Sequence, residues 1–252
     1  MLDCAGLDVD VAGRRLVASL TLAARAGRFV ALLGQNGAGK TLTLHTLAGL
    51  RSAGGGTIAL DGRPLGDWPP AQRARRLALL PQASEDPFPV TALETALIGR
   101  HPHIGFWAWE GDRDIAIARG CLADVDLGGC EERSVESLSG GERRRLAIAA
   151  LLAQDAAVCL LDEPTNHLDP HHQLSVLQLF RARVDAGKAV VASLHDPTLA
   201  ARFADDALLL YGDGRWAFGP CNEVLTAERL STLYRNPMHE IAWRERRVFV
   251  AG

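Results

Sequence analysis

Phe29-Val30-Ala31-Leu32-Leu33-Gly34-Gln35-Asn36-Gly37-Ala38-Gly39-Lys40-Thr41 is the stretch on which the reading of this chain turns. The five apolar residues from Phe29 read as a short buried strand, and the eight from Gly34 fit G-x-x-x-x-G-K-[ST]. From Lys40 the pattern becomes helical and closes near Gly49. Such a loop brings backbone N–H groups around phosphate oxygens, an approach that a Cβ would block. The helix behind it aims its N-terminus at the anion. Gly34, Asn36, Gly37, Ala38 and Gly39 are therefore expected to contact phosphate, with Lys40 a point charge on the β- and γ-phosphates. The Thr41 hydroxyl is a candidate Mg²⁺ ligand. Chance alone produces the pattern in roughly one chain in a hundred of this length at average residue usage, and the strand-to-helix context makes a mere glycine-rich turn a poor alternative.

Two further apolar runs, residues 156–161 and 189–194, also end in polar groups suited to a phosphate site. The first ends in Asp162-Glu163. Carboxylates at the end of a parallel strand lie at the edge of a site built on strand ends. Asp162 can hold Mg²⁺ and Glu163 can polarise an attacking water as general base. The second ends in His195, a candidate donor to the γ-phosphate. Gln82 follows a four-residue strand pattern over 77–80 and can reach Mg²⁺ or the lytic water. Taken singly, each has a plainer reading as a strand-capping acid, a surface histidine or a polar loop residue. Their shared strand-end placement favours the site.

Leu138-Ser139-Gly140-Gly141-Glu142 adds a different element. Ser139 and Glu142 have capping-box spacing, so a helix begins at Gly140 and Gly141 with free N–H groups and a dipole suited to phosphate. One phosphate loop already serves this chain's nucleotide. A second anion grip implies a second nucleotide, and a two-fold pair in which each copy completes the other's site is the economical arrangement.

The rest of the chain sets the frame. Residues 2–11 and 14–22 read as two strands around a Gly13-Arg14-Arg15 turn, 57–60 as another strand, and 207–211 with 215–218 as a hairpin. Residues 83–89 read as a loop, Thr91 opens a helix with a capping box to Glu94, and helical patterns cover 112–124, 142–153 and 171–186. The order predicts an α/β fold with a mixed sheet core, an N-terminal antiparallel β region and an inserted helical subdomain. Its parts are a core over about 1–83 and 156–220, helices over about 84–155 and a C-terminal tail over about 221–252. With 252 residues the chain fits one such domain.

Composition excludes some functions. Lys+Arg number 27 and Asp+Glu 30, a net charge of −3, which gives no general attraction to nucleic acid. Arg73, Arg75, Arg76 and the run Arg143 to Arg145 read as solvated helix faces. The five cysteines are scattered without a C-x-x-C and read as reduced, structural thiols. No apolar run approaches about 18 residues, so no membrane-spanning helix is expected.

With these motifs assembled, the chain resembles the ATP-binding subunits of ABC transporters over nearly its whole length. The resemblance identifies residues 34–41 as Walker A, Gln82 as the Q-loop and residues 138–142 as the signature. It makes Asp162-Glu163 the end of Walker B, His167-Leu168-Asp169 the D-loop and His195 the switch histidine. It implies P-loop ATPase chemistry with ATP and Mg²⁺, and a homodimer clamping two ATP molecules. It also implies a polytopic permease contacted near Gln82 and the helical subdomain, an indirect link to a substrate-binding protein, and a place on the cytoplasmic face of the inner membrane. Val11 stands where the family often stacks an aromatic on adenine, with the Arg14 and Arg15 stems beside it, so preference for ATP over GTP is not decided by that position. Leu42, also expected at the nucleotide, replaces a frequent Thr or Ser. Ile98-Gly99-Arg100-His101-Pro102-His103 and His172-Gln173 are similar to importers of iron–siderophore, haem and cobalamin. His101 and His103 are read as loop surface. Phe106, Trp107 and Trp109 divide evenly between buried core and a surface patch for the membrane partner. The competing reading is a soluble ABC-type ATPase without a transporter, although neither a coiled-coil insert nor a second cassette is visible.

Overall fold

A computed structural model describes residues 1–82, 90–105, 108–244 and 246–252. The chain opens with strands β1 (Leu2–Val11) and β2 (Arg14–Ala24), followed by β3 (Arg28–Gly34), helix α1 (Lys40–Leu47), β4 (Gly55–Leu60), the short β5 (Arg63–Pro64), α2 (Pro70–Ala74) and β6 (Leu77–Leu80). Three helices come next: α3 (Ala92–Ile98), α4 (Asp112–Asp124) and α5 (Gly140–Gln154). Then follow β7 (Val158–Leu161), α6 (Pro170–Asp185), β8 (Ala189–Ser193), α7 (Pro197–Phe203), β9 (Asp206–Leu210) and β10 (Trp216–Pro220). The chain ends in α8 (Cys221–Val224), α9 (Ala227–Tyr234) and the strands β11 (Met238–Trp243) and β12 (Arg246–Ala251).

The central six-stranded sheet has the order β10-β9-β3-β8-β7-β6. Its pairs are parallel except for β10 against β9, so the sheet is mixed as expected. β3 is buried along all but its first residue, as a strand covered on both faces must be. Its alternation divides the interior. Phe29, Ala31 and Leu33 join the core under the helices, whereas Val30 and Leu32 join the core shared with α1 and the antiparallel sheet β2-β1-β4-β5. The N-terminal turn is Ala12-Gly13, with φ of 46° and 77° as a type I′ turn has, not Gly13-Arg14-Arg15, because Val11 pairs with Arg14 across the hairpin. Arg14 and Arg15 consequently already belong to β2.

The three helices pack on one another through small residues, among them Ala92, Ala96, Ala118, Ala149 and Ala153. The Ile98-to-His103 string serves this packing. Arg100 is buried, donating to Asp114 Oδ1 (2.9 Å) and to the Ala153 carbonyl (2.7 Å), and His103 Nε2 meets the Gln154 carbonyl at 2.9 Å. The His101 side chain is exposed, as expected. Gly99 lies so close to α5 that an added Cβ would stand 2.0 Å from the Ala150 carbonyl oxygen. Gly99→Ala should therefore force α3 and α5 apart and destabilise the fold by about 1–3 kcal/mol. A fall in melting temperature of about 5 °C is expected for a chain of this size, and an unchanged thermal melt would contradict the close approach.

Several expectations need correction. Arg144 is buried rather than part of a solvated face. Arg76 lies beyond the end of α2 and pairs with Asp61 at 2.7 Å. Trp109 is 90% exposed, so it is not core; Phe106 and Trp107 lie outside the described residues, as does the loop read over 83–89. Within residues 221–252 the chain forms two helices and a strand pair. β12 packs on α7, where Phe249 N donates to Thr198 Oγ1 at 3.0 Å. All five cysteines are free; burial pushes the thiols of Cys4, Cys121 and Cys159 up to about 11 and that of Cys221 to about 12, so these four are protonated apolar filler. No helix among the described residues is long and apolar enough to cross a membrane.

Candidate functional site

Register assembles the site. Leu80 pairs with Leu161, Leu161 with Ala192, and Ser193 with Leu32, so the carboxyl ends of β6, β7, β8 and β3 lie side by side. The residues just beyond those ends are Gln82, Asp162 and Glu163, His195, and the glycine loop. Chemistry spread across the sequence thus meets at one sheet edge, where ligands bind in parallel α/β sheets.

The loop leaves β3 at Gly34, which is paired with Leu210 of β9. A Cβ there would meet the Leu210 carbonyl oxygen at 2.7 Å and Ala38 Cβ at 3.1 Å, so only glycine fits. α1 begins at Lys40 without a side-chain cap from Gly39, which leaves its first N–H groups directed at the loop. Lys40 is 5% exposed, and its ammonium donates to the carbonyls of Gly34 (2.9 Å) and Gln35 (3.3 Å). Desolvation lowers its pKa, and the charges of Glu163 and Asp162 work against that shift. A cleft of about 330 Å³ lies over the loop, lined by Asn36, Gly37, Gly39, Lys40, Thr41 and Leu42 together with Val11, Gln82 and Glu163. Val11 and Leu42 therefore face the same cleft as the phosphate loop. The Arg15 guanidinium turns away to Asp8 and Asp10, at 2.9 and 3.0 Å.

Asp162 and Glu163 are both buried. The Ser193 hydroxyl donates to Asp162 Oδ1 at 2.7 Å and accepts from the Glu163 N–H at 2.7 Å, fixing the pair to β8. Asp162 Oδ2 is buried and has no hydrogen-bond partner among the described residues. A carboxylate oxygen held that way suits a hard cation. Two amides donate to the Glu163 carboxylate, Gln82 Nε2 at 2.9 Å and Asn166 Nδ2, and His195 Nε2 lies 2.8 Å from its Oε1. The carboxylate is thereby oriented, with the His195 ring beside it. Glu163 has a φ of 51°, left-handed for a residue with a side chain. Such a conformation costs on the order of 1 kcal/mol and persists when its surroundings hold it.

The Ser139 helix start is elsewhere. Ser139 caps α5 by accepting from Glu142 N (3.2 Å), and the Glu142 carboxylate accepts from Ser139 N (2.8 Å). The Ser139 backbone and hydroxyl, then Arg133, hold the Glu142 carboxyl down at about 2. A second cleft of about 410 Å³ is lined by Ser139, Gly141, Glu142 and Arg145 with His167, Leu168, Asp169 and His172. It shares no lining residue with the cleft over the phosphate loop.

Three contributors went unread in the sequence. Ser193 is the single hydroxyl in an otherwise apolar run, and a polar residue inside a buried strand is the signal that could have found it. Asn166 lies three residues after Glu163 and carried no pattern of its own. Arg144 lies four residues before Ile148 and seven before Leu151, on the buried stripe of α5, so helical spacing could have separated it from exposed Arg143 and half-buried Arg145.

A glycine loop between a buried parallel strand and a helix, with an acidic pair at the end of β7, one strand further along the same sheet, defines a P-loop nucleoside triphosphatase. The family model for ABC transporters matches residues 17–166, and the chain belongs to that family. Among curated relatives, the hemin import ATP-binding protein of Streptomyces coelicolor is 42% identical over 92% of this chain and 82% of its own length. The cobalamin import ATP-binding protein of Halobacterium salinarum is 40% identical over 92% of this chain and 58% of its own. Among solved structures, a chain from an inward-facing metal-chelate type ABC transporter superposes with a TM-score of 0.85 at 29% identity, covering 100% of this chain and 97% of that one. A dimeric ATP-binding cassette in a post-hydrolysis state with ADP and Pi gives a TM-score of 0.76 at 25% identity, covering 86% and 98%.

Proposed function

We propose that this chain is the ATP-hydrolysing, energy-coupling subunit of an ABC importer for a metal chelate, acting as a pair on a membrane permease at the cytoplasmic face of the membrane. The observation that carries the pairing is the separation of the two clefts: a phosphate loop in one and a capped helix start in the other, with no residue in common. A second copy brings the Ser139 helix to the first copy's nucleotide, and the dimeric cassette with ADP and Pi supports that arrangement. Within each site, Gly34, Asn36, Gly37, Ala38, Gly39, Lys40 and Thr41 hold the phosphates, and Val11 and Leu42 flank the nucleotide. Ser139, Gly140 and Gly141 of the opposite copy close over the γ-phosphate.

Glu163 takes the proton of the attacking water, with Gln82, Asn166 and His195 orienting its carboxylate. His195, with one nitrogen on Glu163, and Lys40 stabilise charge on the transferring phosphoryl group. Mg²⁺ would be held by Thr41 and Asp162, whose free Oδ2 fits it, with Gln82 nearby; it supplies charge neutralisation on the phosphates.

The permease is expected to seat in an apolar groove of about 230 Å³ between the two bodies, over about 1–83 with 156–220 and about 84–155. The groove is lined by Leu79, Pro81, Ile98 and Leu146 together with Arg143 and Gln154. Ile98 is 53% exposed there. Haem and cobalamin are the cargo types of the curated relatives, and they favour a large metal chelate reached through the permease and its binding protein. The test is a pull-down from detergent-solubilised native membranes with tagged Glu163→Gln protein and MgATP. A polytopic permease in near-equal amount is expected. Recovery of soluble partners alone would overturn the importer reading in favour of a soluble ABC-type ATPase.

A further inference from the structure

Arg144 has a role that neither motif chemistry nor packing accounts for. It projects from the second turn of α5, five residues after the Ser139 cap, and is 7% exposed. One guanidinium nitrogen donates to the carbonyls of Pro81 (2.6 Å) and Gln82 (3.3 Å). The other donates to the carbonyls of Asp162 and Glu163, the latter at 2.9 Å. A planar fork is the one side chain that can join two such pairs of acceptors at once. The four carbonyls belong to two loops that end in the residues facing the nucleotide. The pair on the Asp162 side sits at the strained φ of Glu163, which the fork helps to hold. Burial lowers the guanidinium to about 10, with the charges of Asp162 and Glu163 opposing that shift.

The consequence follows from helix geometry. From Ser139 to Arg144 is about 7.5 Å of helix rise, within one rigid segment. Any displacement of the Ser139 turn is carried to the guanidinium and so to the backbone of Asp162, Glu163 and Gln82. We infer that Arg144 is a positioning residue that makes the two ATP sites of a pair answer to one another. It ties the helix that grips the partner's nucleotide to the loops that hold this chain's own general base and Gln82. The inference rests on the paired reading proposed above.

The test uses the full chain and its Arg144→Met and Arg144→Lys variants. ATP turnover is measured across ATP concentration, and binding of a fluorescent ATP analogue is measured separately. For wild type a Hill coefficient approaching about 2, the limit for two sites, is expected. Arg144→Met should bring it to about 1 and lower turnover by about tenfold or more, with analogue affinity within about threefold, since the phosphate loop is untouched. Arg144→Lys, whose ammonium can reach one carbonyl pair but not both, should fall between. If the methionine variant loses its melting transition, the lysine variant decides the matter by the same readouts. An unchanged Hill coefficient, or analogue affinity falling in step with turnover, overturns the role. A wild-type coefficient of 1, together with Glu163→Gln protein that stays monomeric in MgATP, removes the paired reading itself and this inference with it.

Discussion

Replacing Glu163 by glutamine should lower ATP turnover by about 10²- to 10⁴-fold, the range lost with a positioned general base. That corresponds to about 3–5 kcal/mol of barrier. Nucleotide binding should survive, because the loop contacts of Gly34 to Thr41 lie on a different element. The carboxylate now accepts from Gln82 and Asn166 and lies against His195. A glutamine offers one acceptor oxygen and turns an N–H₂ toward donors, so some local rearrangement should accompany the loss of the base. Phosphate release and analogue binding, measured on the same preparation, separate the two effects. Gel filtration in MgATP should show a dimer that wild type does not accumulate. Turnover near the wild-type rate would take the base role from Glu163 and leave His195 as the group to examine.

Lys40→Ala is expected to act earlier, at binding. The ammonium is desolvated and held by the Gly34 and Gln35 carbonyls, so it is already placed at the loop and little ordering remains to be done when phosphate arrives. Hydrogen bonds to charged groups contribute about 1.5–3 kcal/mol each, so losing contact with two phosphates should weaken ATP binding by about a hundredfold or more. Titration calorimetry checks it. An affinity within threefold of wild type would mean that the backbone N–H groups alone hold the phosphates. The two variants should differ in kind: Glu163→Gln binds and stalls, whereas Lys40→Ala does not bind at ordinary ATP concentrations.

The motif residues were legible because each local pattern carries its own reason. Glycine at 34 answers to the approach of Leu210, Ser139 and Glu142 cap each other within one turn, and apolar runs end where the strands end. Helix and strand bounds such as Leu77–Leu80 and Asp112–Asp124 followed from the same short-range preferences. What escaped was a matter of partners. Helical spacing sets Arg144 on the buried stripe of α5, but what it binds is not local: its acceptors lie about 20 and 60 residues away. Residues 221–252 carry local signals, a Thr226 cap and the Leu230 and Leu233 stripe of α9, but their role emerges only where Phe249 meets Thr198 and the Tyr234 hydroxyl donates to the His195 carbonyl at 3.3 Å.

The sequence by itself determined the phosphate loop, the acidic strand end, the capped Ser139 helix and the α/β order that joins them, because glycine conformation, capping and alternation are properties of neighbouring residues. Only the tertiary structure decided that Gln82, Asn166 and His195 share one carboxylate, that Asp162 keeps a free oxygen, and that Arg144 spans two loops. Those arrangements depend on parallel strand register and on burial, which bring together groups that the chain itself keeps far apart.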